Sequence, residues 1–269
     1  MVIIDLSKFS GIVTGGASGL GKAITKKILE CDGKVFIADI NEKEAEKTLE
    51  EFEIYKEKVN FLKVDVSNKK EVENLVKKSE EIFGKIDYLV NNAGILIPRL
   101  LVDPLGKEEI TEEIFDKMVN INMKGYLLCA QEVARVMIKR QKGVIINISS
   151  ESGLEGSEGQ SVYAATKAGI YSFTRSWAKE LGKYNIRVVG VAPGILEPTS
   201  LRNFEYEKEL AYTRGITVEE LKKSYEKISI PLKRVGTLEE VANLVCFLIS
   251  DLASYITGTT INISGGKSR

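Results

Sequence analysis

Two periods alternate along the chain. Short runs rich in β-branched residues occupy residues 11–14, 35–39, 59–66, 86–91, 144–148, 187–191 and 260–263, with the length and composition of strands covered on both faces. Between them lie longer stretches whose apolar residues recur every three or four positions, the spacing of helices that bury one side. Strand and helix alternating seven times predict an α/β fold with a doubly wound, seven-stranded parallel sheet. No linker, composition shift or internal repeat divides residues 1–269, so a single domain is expected. Two connections, 95–110 and 195–234, are longer than such a fold needs. The second is charged, rich in tyrosine and partly helical, and its place after a strand's carboxyl end makes it the expected substrate lid.

Composition narrows what this fold carries. Hydrophobic residues make up 43% of the 269, enough for one sizeable core. Lys plus Arg and Asp plus Glu balance at 38 each, which argues against nucleic-acid and anionic-membrane partners, since both select a basic excess. The chain has no histidine, so Ser-His-Asp catalysis, imidazole acid–base work and His-ligated metals drop out, and no metal is expected. Proton transfer must fall to Tyr, Lys, Cys or a carboxylate. Cys31, Cys129 and Cys246 are far apart among apolar or helical neighbours, which predicts buried thiols rather than disulfides. No apolar run approaches the ~18 residues of a membrane span, and the stretch around Asp5 and Lys8 lacks a signal-like core, so a cytoplasmic protein is expected.

Candidate chemistry concentrates in residues 150–167. If the chain is helical from Gln160 onward, Tyr163 and Lys167 stand at i and i+4 and project from one face. A phenol titrates near ~10 and works as an acid–base group at neutral pH only with a cation beside it. Lys167 is placed to be that cation. Ser150, at the end of an apolar strand, is placed to hydrogen-bond an oxygen that gains or loses charge. Together they describe a proton shuttle beside a carbonyl or alcohol carbon. Ser149 competes with Ser150 for this role, but strand alternation puts the two on opposite faces and the spacing of thirteen to Tyr163 favours Ser150; Tyr-x-x-x-Lys by itself is also what an ordinary amphipathic helix shows.

A second element, Thr14-Gly15-Gly16-Ala17-Ser18-Gly19-Leu20-Gly21, follows the first strand and opens a helix. Glycines there allow a tight turn and close backbone approach to a pyrophosphate met by the helix N-terminus, with Gly15, Ser18, Gly19, Leu20 and Gly21 as contacts. Asp39 ends the second strand, 18 residues beyond Gly21, and is followed by Ile40. A carboxylate there accepts the ribose hydroxyls and repels a 2'-phosphate, favouring NAD over NADP. Its alternative use is to cap the helix starting near Glu42. Asp65 and Val66, closing the third strand, are placed to contact the adenine.

These elements, with Asn91-Asn92-Ala93-Gly94, Asn122 in Asn-Ile-Asn-Met-Lys-Gly and Pro193-Gly194, come in an order that resembles the short-chain dehydrogenase/reductase family over essentially the whole chain. The resemblance implies a Rossmann-type domain with NAD as cofactor. It implies that Tyr163 is the acid–base residue, that Ser150 positions the reacting oxygen, and that Lys167 lowers the Tyr163 pKa while binding the nicotinamide ribose. Asn122, rather than the neighbouring Asn120, would order a water relaying protons from Lys167. Asn92, Ala93 and Gly94 would line the cofactor, and Pro193, Gly194 and Ile195 would pass beside the nicotinamide amide. Apolar outer positions of the helices around 122–140 and 163–181 would pair subunits into a homotetramer. One departure is Ser264 before Gly265-Gly266, where many members carry aspartate.

Within the family, residues 149–160, 173–177 and 189–197 resemble those of members that interconvert sorbitol 6-phosphate and fructose 6-phosphate. The residues themselves agree with a polar substrate: Glu151, Ser152, Glu155, Glu158 and Gln160 cluster around Ser150, whereas a steroid or acyl pocket would be apolar. A phosphate end calls for an arginine or lysine. Arg99, just past Asn-Asn-Ala-Gly, is the first choice; Arg202, Arg214 and Lys267 are the others, and each also reads as a solvated surface charge. Rival enzymes are a 3-oxoacyl carrier-protein reductase and a free-polyol dehydrogenase. The rival from another class is a catalytically silent NAD-binding regulator.

Overall fold

The structure is a computed structural model that describes residues 4–199, 202–226 and 230–267. Seven strands, β1 (Ser10–Thr14), β2 (Lys34–Asp39), β3 (Val59–Lys63), β4 (Tyr88–Asn91), β5 (Gly143–Ile148), β6 (Ile186–Pro193) and β7 (Thr260–Ile263), form one sheet in the order β3-β2-β1-β4-β5-β6-β7. Every neighbouring pair is parallel. The helices are α1 (Gly19–Glu30), α2 (Glu42–Glu51), α3 (Lys69–Phe83), α4 (Glu112–Val119), α5 (Gly125–Arg140), α6 (Ser152–Glu155), α7 (Ser161–Leu181), α8 (Phe204–Thr213), α9 (Val218–Glu226) and α10 (Leu238–Ile249).

The unbroken apolar runs are explained by cover on both faces. Ile12 belongs to a core layer with Val72 and Leu75 of α3 and Val133 and Met137 of α5. Its neighbour Val13 belongs to the opposite layer, with Ile24 and Ile28 of α1 and Val241 and Val245 of α10. Both are fully buried, and each such side chain stabilises the sheet by roughly 1.5–3 kcal/mol.

Two strand boundaries differ from the pattern. β3 stops at Lys63 instead of reaching residue 66, because its only neighbour, β2, ends at Asp39, opposite Lys63. Asp65 turns off the sheet, accepting from the Ser67 backbone and hydroxyl. β4 begins at Tyr88 instead of residue 86, where its register with β1 starts opposite Gly11; just before it, the Asp87 carboxylate holds the backbone of Ser10 and pairs with Lys85 and Arg140.

Strand order reverses between β1 and β4, and ligands of doubly wound sheets bind in the crevice outside the carboxyl ends of strands at such a switch point. Both long connections rise there. Residues 95–110 are organised by Asp103, whose carboxylate accepts from the backbones of Leu105, Lys107 and Glu108. Of the expected lid, residues 200–201 and 227–229 lie outside the described residues. The rest carries α8 and α9, which bury Tyr206, Leu210 and Leu221 against Leu96 and Ile216 in a small core of their own. Among the described residues no helix is long and apolar enough to cross a membrane, and no cluster of His, Cys, Asp or Glu is arranged to hold a metal. The cysteines are free: Cys129 and Cys246 are buried and Cys31 is half-buried.

Candidate active site

The crevice is a cleft of about 690 Å³ that runs from the glycine-rich turn, past the carboxyl ends of the strands, to α8. Every cofactor residue expected from the sequence lines it, as do Ser150, Glu151, Ser152, Glu155 and Gln160. Three expected residues do not: Asn122, Arg99 and Glu158, which is exposed to solvent instead of joining the polar group around Ser150.

At one end the backbone itself forms the wall. A Cβ on Gly21 would stand 1.9 Å from the Gly15 carbonyl oxygen, so only glycine lets α1 start this close to the turn. Gly15 and Gly19 have φ of 62° and 50°, in the left-handed region where a side chain is strained. Asp39 accepts from the Ala17 backbone at 3.1 Å and the Asn41 backbone at 3.0 Å. It does not cap α2; Asn41 does, accepting from Glu44 N at 3.3 Å. The carboxylate thus braces the glycine turn at the edge of the cleft.

At the middle, β5 delivers Ser150 and α7 delivers Tyr163 and Lys167. The two serines separate as strand alternation requires. Ser149 is buried and donates to the Lys167 carbonyl at 2.8 Å, whereas Ser150 faces the cleft, accepting from the Ser152 hydroxyl at 3.0 Å and hydrogen-bonding Tyr163. Lys167 is buried, 4% exposed. Its ammonium donates to the Ile148 carbonyl at 2.8 Å and the Tyr126 hydroxyl at 3.3 Å, and stands 5.7 Å from the Tyr163 ring centroid. Burial dominates both titrations. It pushes the Tyr163 phenol up to about 12, against the opposing hydrogen bond from Ser150, and the Lys167 ammonium down to about 7. In this structure, therefore, Tyr163 titrates above the ordinary phenol value, opposite in direction to the depression that the family resemblance implies.

Asn122 sits beneath this group in a π-helical turn, Asn120–Lys124, between α4 and α5. It is fully buried, and Asn120 is exposed. The Asn122 amide accepts from Ile95 N at 2.8 Å and donates to Ile95 O at 2.9 Å and the Thr166 hydroxyl at 3.2 Å, pinning the β4 loop to α7. Sequence reasoning missed Tyr126, the buried phenol that anchors Lys167 and donates to Ile148 O at 2.9 Å. No local spacing marked it, because the π turn at Asn120–Lys124 breaks the helical line between Asn122 and Tyr126 and its partner Lys167 lies on another helix.

At the outer end the Arg99 expectation is corrected. Arg99 lies outside the cleft, its guanidinium held between Glu108 at 2.8 Å and Glu209 at 3.0 Å. Two carboxylates neutralise it, so it ties the β4 loop to α8 instead of facing a ligand. Arg202, Arg214 and Lys267 do line the cleft. Lys267 reaches in from the C-terminal segment to pair with Glu151 at 2.5 Å.

The model of the family described as short chain dehydrogenase matches residues 11–210. The chain belongs to the short-chain dehydrogenase family. Among its relatives, sorbitol-6-phosphate 2-dehydrogenase of Klebsiella pneumoniae is 54% identical over 261 residues, covering 96% of this chain and 95% of the relative. A 3-oxoacyl-[acyl-carrier-protein] reductase of Thermotoga maritima is 39% identical over 256 residues, covering 95% and 96%. Among solved structures, levodione reductase superposes with a TM-score of 0.84 at 33% identity over 96% of this chain and 97% of the other. A 3-ketoacyl-(acyl-carrier-protein) reductase from Brucella melitensis, complexed with NADH, superposes with 0.83 at 28% identity over 98% and 100%. As a short-chain dehydrogenase the protein is an oxidoreductase that uses a nicotinamide cofactor. The cleft fits that group: a turn that admits no Cβ at Gly21, a helix N-terminus beside it and a carboxylate at its edge suit a dinucleotide.

Proposed function

We propose that this short-chain dehydrogenase interconverts sorbitol 6-phosphate and fructose 6-phosphate with NAD. The observation that carries the reading is the substrate end of the cleft, where Glu151, Ser152, Glu155 and Gln160 surround Ser150 and Tyr163 while Arg202, Arg214 and Lys267 line the same space. Carboxylates and amides suit a polyol's hydroxyls, and cations suit its phosphate. The 54% identity to a sorbitol-6-phosphate 2-dehydrogenase supports the same substrate. Asp39 supports NAD, because its carboxylate stands where a 2'-phosphate would add a second negative charge.

Gly15, Ser18, Gly19, Leu20 and Gly21 would hold the pyrophosphate, Asp39 and Ile40 the adenosine ribose, Asp65 and Val66 the adenine. Asn92, Ala93, Gly94, Lys167 and Pro193 to Ile195 would hold the nicotinamide half. The cofactor, when bound, supplies or accepts the hydride. Tyr163 Oη takes the proton of the reacting hydroxyl in oxidation and returns it in reduction, and Ser150 Oγ holds the same oxygen. Lys167 Nζ would orient the cofactor ribose and, when protonated, favour the phenolate. Asn122 fixes the β4 loop against α7 and orders the water through which the proton leaves. The described part of the connection, α8 and α9, would close the substrate end as a lid. Exposed Phe115 and Leu127 and the stacked Phe173–Trp177 pair support a homotetramer assembled through α4, α5 and α7. Free thiols and the absence of a spanning helix among the described residues suit a cytoplasmic enzyme.

The test is a panel of hexitols and their 6-phosphates oxidised with NAD and followed as NADH absorbance. Sorbitol 6-phosphate is expected to give the highest kcat/KM. Equal rates with free sorbitol select a free-polyol dehydrogenase, and no turnover of any member selects a silent regulator.

A further inference from the structure

Four cations stand near the substrate end, and their surroundings differ. Arg99 is outside the cleft between two carboxylates. Lys267 is half-buried and already paired with Glu151, and separating a partly buried pair leaves a charge uncompensated. Arg202 donates to the Leu196 carbonyl at 3.0 Å, which fixes the root of the lid. Arg214 lines the cleft, is half-buried, and has no carboxylate of the described residues within ion-pair distance.

Resting on the sugar-phosphate reading above, we propose that Arg214 is the residue that selects the phosphorylated polyol over the free one. Its backbone is fixed at the C-cap of α8, donating to the Leu210 and Ala211 carbonyls at 3.2 Å each. A cation at a helix C-terminus is favoured by the helix dipole, so this one is kept in place without a carboxylate to compete with an incoming anion. A guanidinium also matches a phosphate bidentately.

The position of Arg214 relative to Tyr163 is set by contacts within one rigid assembly. Gln160, three residues before Tyr163, donates to the Tyr206 hydroxyl on α8 at 2.8 Å. Tyr212 donates to Asp103 at 2.9 Å, and Arg99 holds Glu209. Thr213, the residue before Arg214, packs where a Cβ on Gly159 would stand 2.1 Å from its hydroxyl oxygen. Gly159 has φ of 73° and precedes Gln160, so the end of α8 rests directly on the entry to the catalytic helix. Phosphate held at Arg214 is therefore held at a set distance from Ser150 and Tyr163, and its binding energy serves to place the reacting carbon.

The experiment compares kcat/KM for sorbitol 6-phosphate and sorbitol in the wild type, Arg214→Ala and Arg214→Lys, each shown to bind NADH. The preference for the phosphate ester is expected to fall about 30-fold in Arg214→Ala, the loss of a charge-assisted bidentate pair. It should fall less in Arg214→Lys, which keeps a point charge without the fork. Inorganic phosphate should also compete with sorbitol 6-phosphate in the wild type and lose that ability in Arg214→Ala. A preference in Arg214→Ala within about threefold of the wild type, on the scale of a single hydrogen bond, overturns the assignment of Arg214 and leaves the sugar-phosphate reading standing. A wild type with no preference overturns that reading and this inference together.

Discussion

Replacing Lys167 with methionine should change the sign of its effect on stability with pH. The ammonium is buried among Ile148 O, Tyr126 and Tyr163, and burial brings its pKa from 10.5 down to about 7. In the unfolded chain the lysine keeps its ordinary value, so between these limits the unfolded state binds more protons than the folded one. Stability therefore falls as pH drops from 10.5 to 7 and levels off below that. At about 1.4 kcal/mol per pKa unit, the full cost below pH 7 is about 5 kcal/mol. Methionine fills a similar volume without the charge but leaves the Tyr126 hydroxyl oxygen without its donor and Ile148 O with Tyr126 as its remaining one, a loss of about 1–3 kcal/mol at any pH. Lys167→Met should accordingly melt above the wild type at pH 6 and below it at pH 10.5, with the curves crossing at about pH 9. At about 2–4 °C per kcal/mol for a chain of this size, the difference at pH 6 is about 5 °C or more. Differential scanning fluorimetry of both proteins without nucleotide, in matched buffers, reads this directly, since titrations of groups away from Lys167 cancel in the difference and Tyr163, titrating at about 12, stays protonated throughout the range. A variant less stable by the same margin at pH 6 and pH 10.5 would refute the claim that burial penalises the ammonium. The gain in stability should come with a loss of turnover, the usual cost of relieving a strained site.

Three further outcomes are expected. Tyr163→Phe keeps the ring and removes the transferable proton, so kcat should fall at least about 100-fold while NADH still binds by fluorescence titration; near-normal kcat excludes Tyr163 as the acid–base group. Asp39→Ala removes the charge opposed to a 2'-phosphate, so the ratio of kcat/KM for NAD to that for NADP should fall by about tenfold or more. An unchanged ratio removes Asp39 from cofactor choice. Arg99→Met strands Glu108 and Glu209, so Tm should drop by about 4 °C or more, while the ratio of kcat/KM for sorbitol 6-phosphate to that for sorbitol stays at the wild-type value; a collapse of that ratio would return Arg99 to the phosphate site.

What the sequence made legible was whatever local periodicity decides. Strand alternation separated Ser149 from Ser150, helical spacing put Tyr163 above Lys167, and the glycine turn announced a backbone that admits no Cβ at Gly21. Arg99 was misplaced because a long side chain's direction depends on partners from other segments: Glu108 from the same excursion and Glu209 from α8, more than a hundred residues away. The end of β3 depended on where β2 stops, and Tyr126 was hidden because its role is to hold Lys167 from a different helix. The π turn at Asn120–Lys124 has no signature in apolar spacing, since it shifts the helical register by a single residue.

The polar cleft suits a sugar phosphate better than an acyl substrate, although two relatives at 39% identity are 3-oxoacyl-[acyl-carrier-protein] reductases. The most direct measurement is reduction by the purified protein of fructose 6-phosphate with NADH against a 3-oxoacyl thioester with NADH or NADPH, with the sugar product identified by NMR. The polar wall around Ser150, the cations at the outer end and Asp39 predict that fructose 6-phosphate is reduced to sorbitol 6-phosphate with a kcat/KM at least about 100-fold above that of the thioester, since unpaired polar groups in the wall would penalise an acyl chain. Preferential reduction of the thioester would contradict the account.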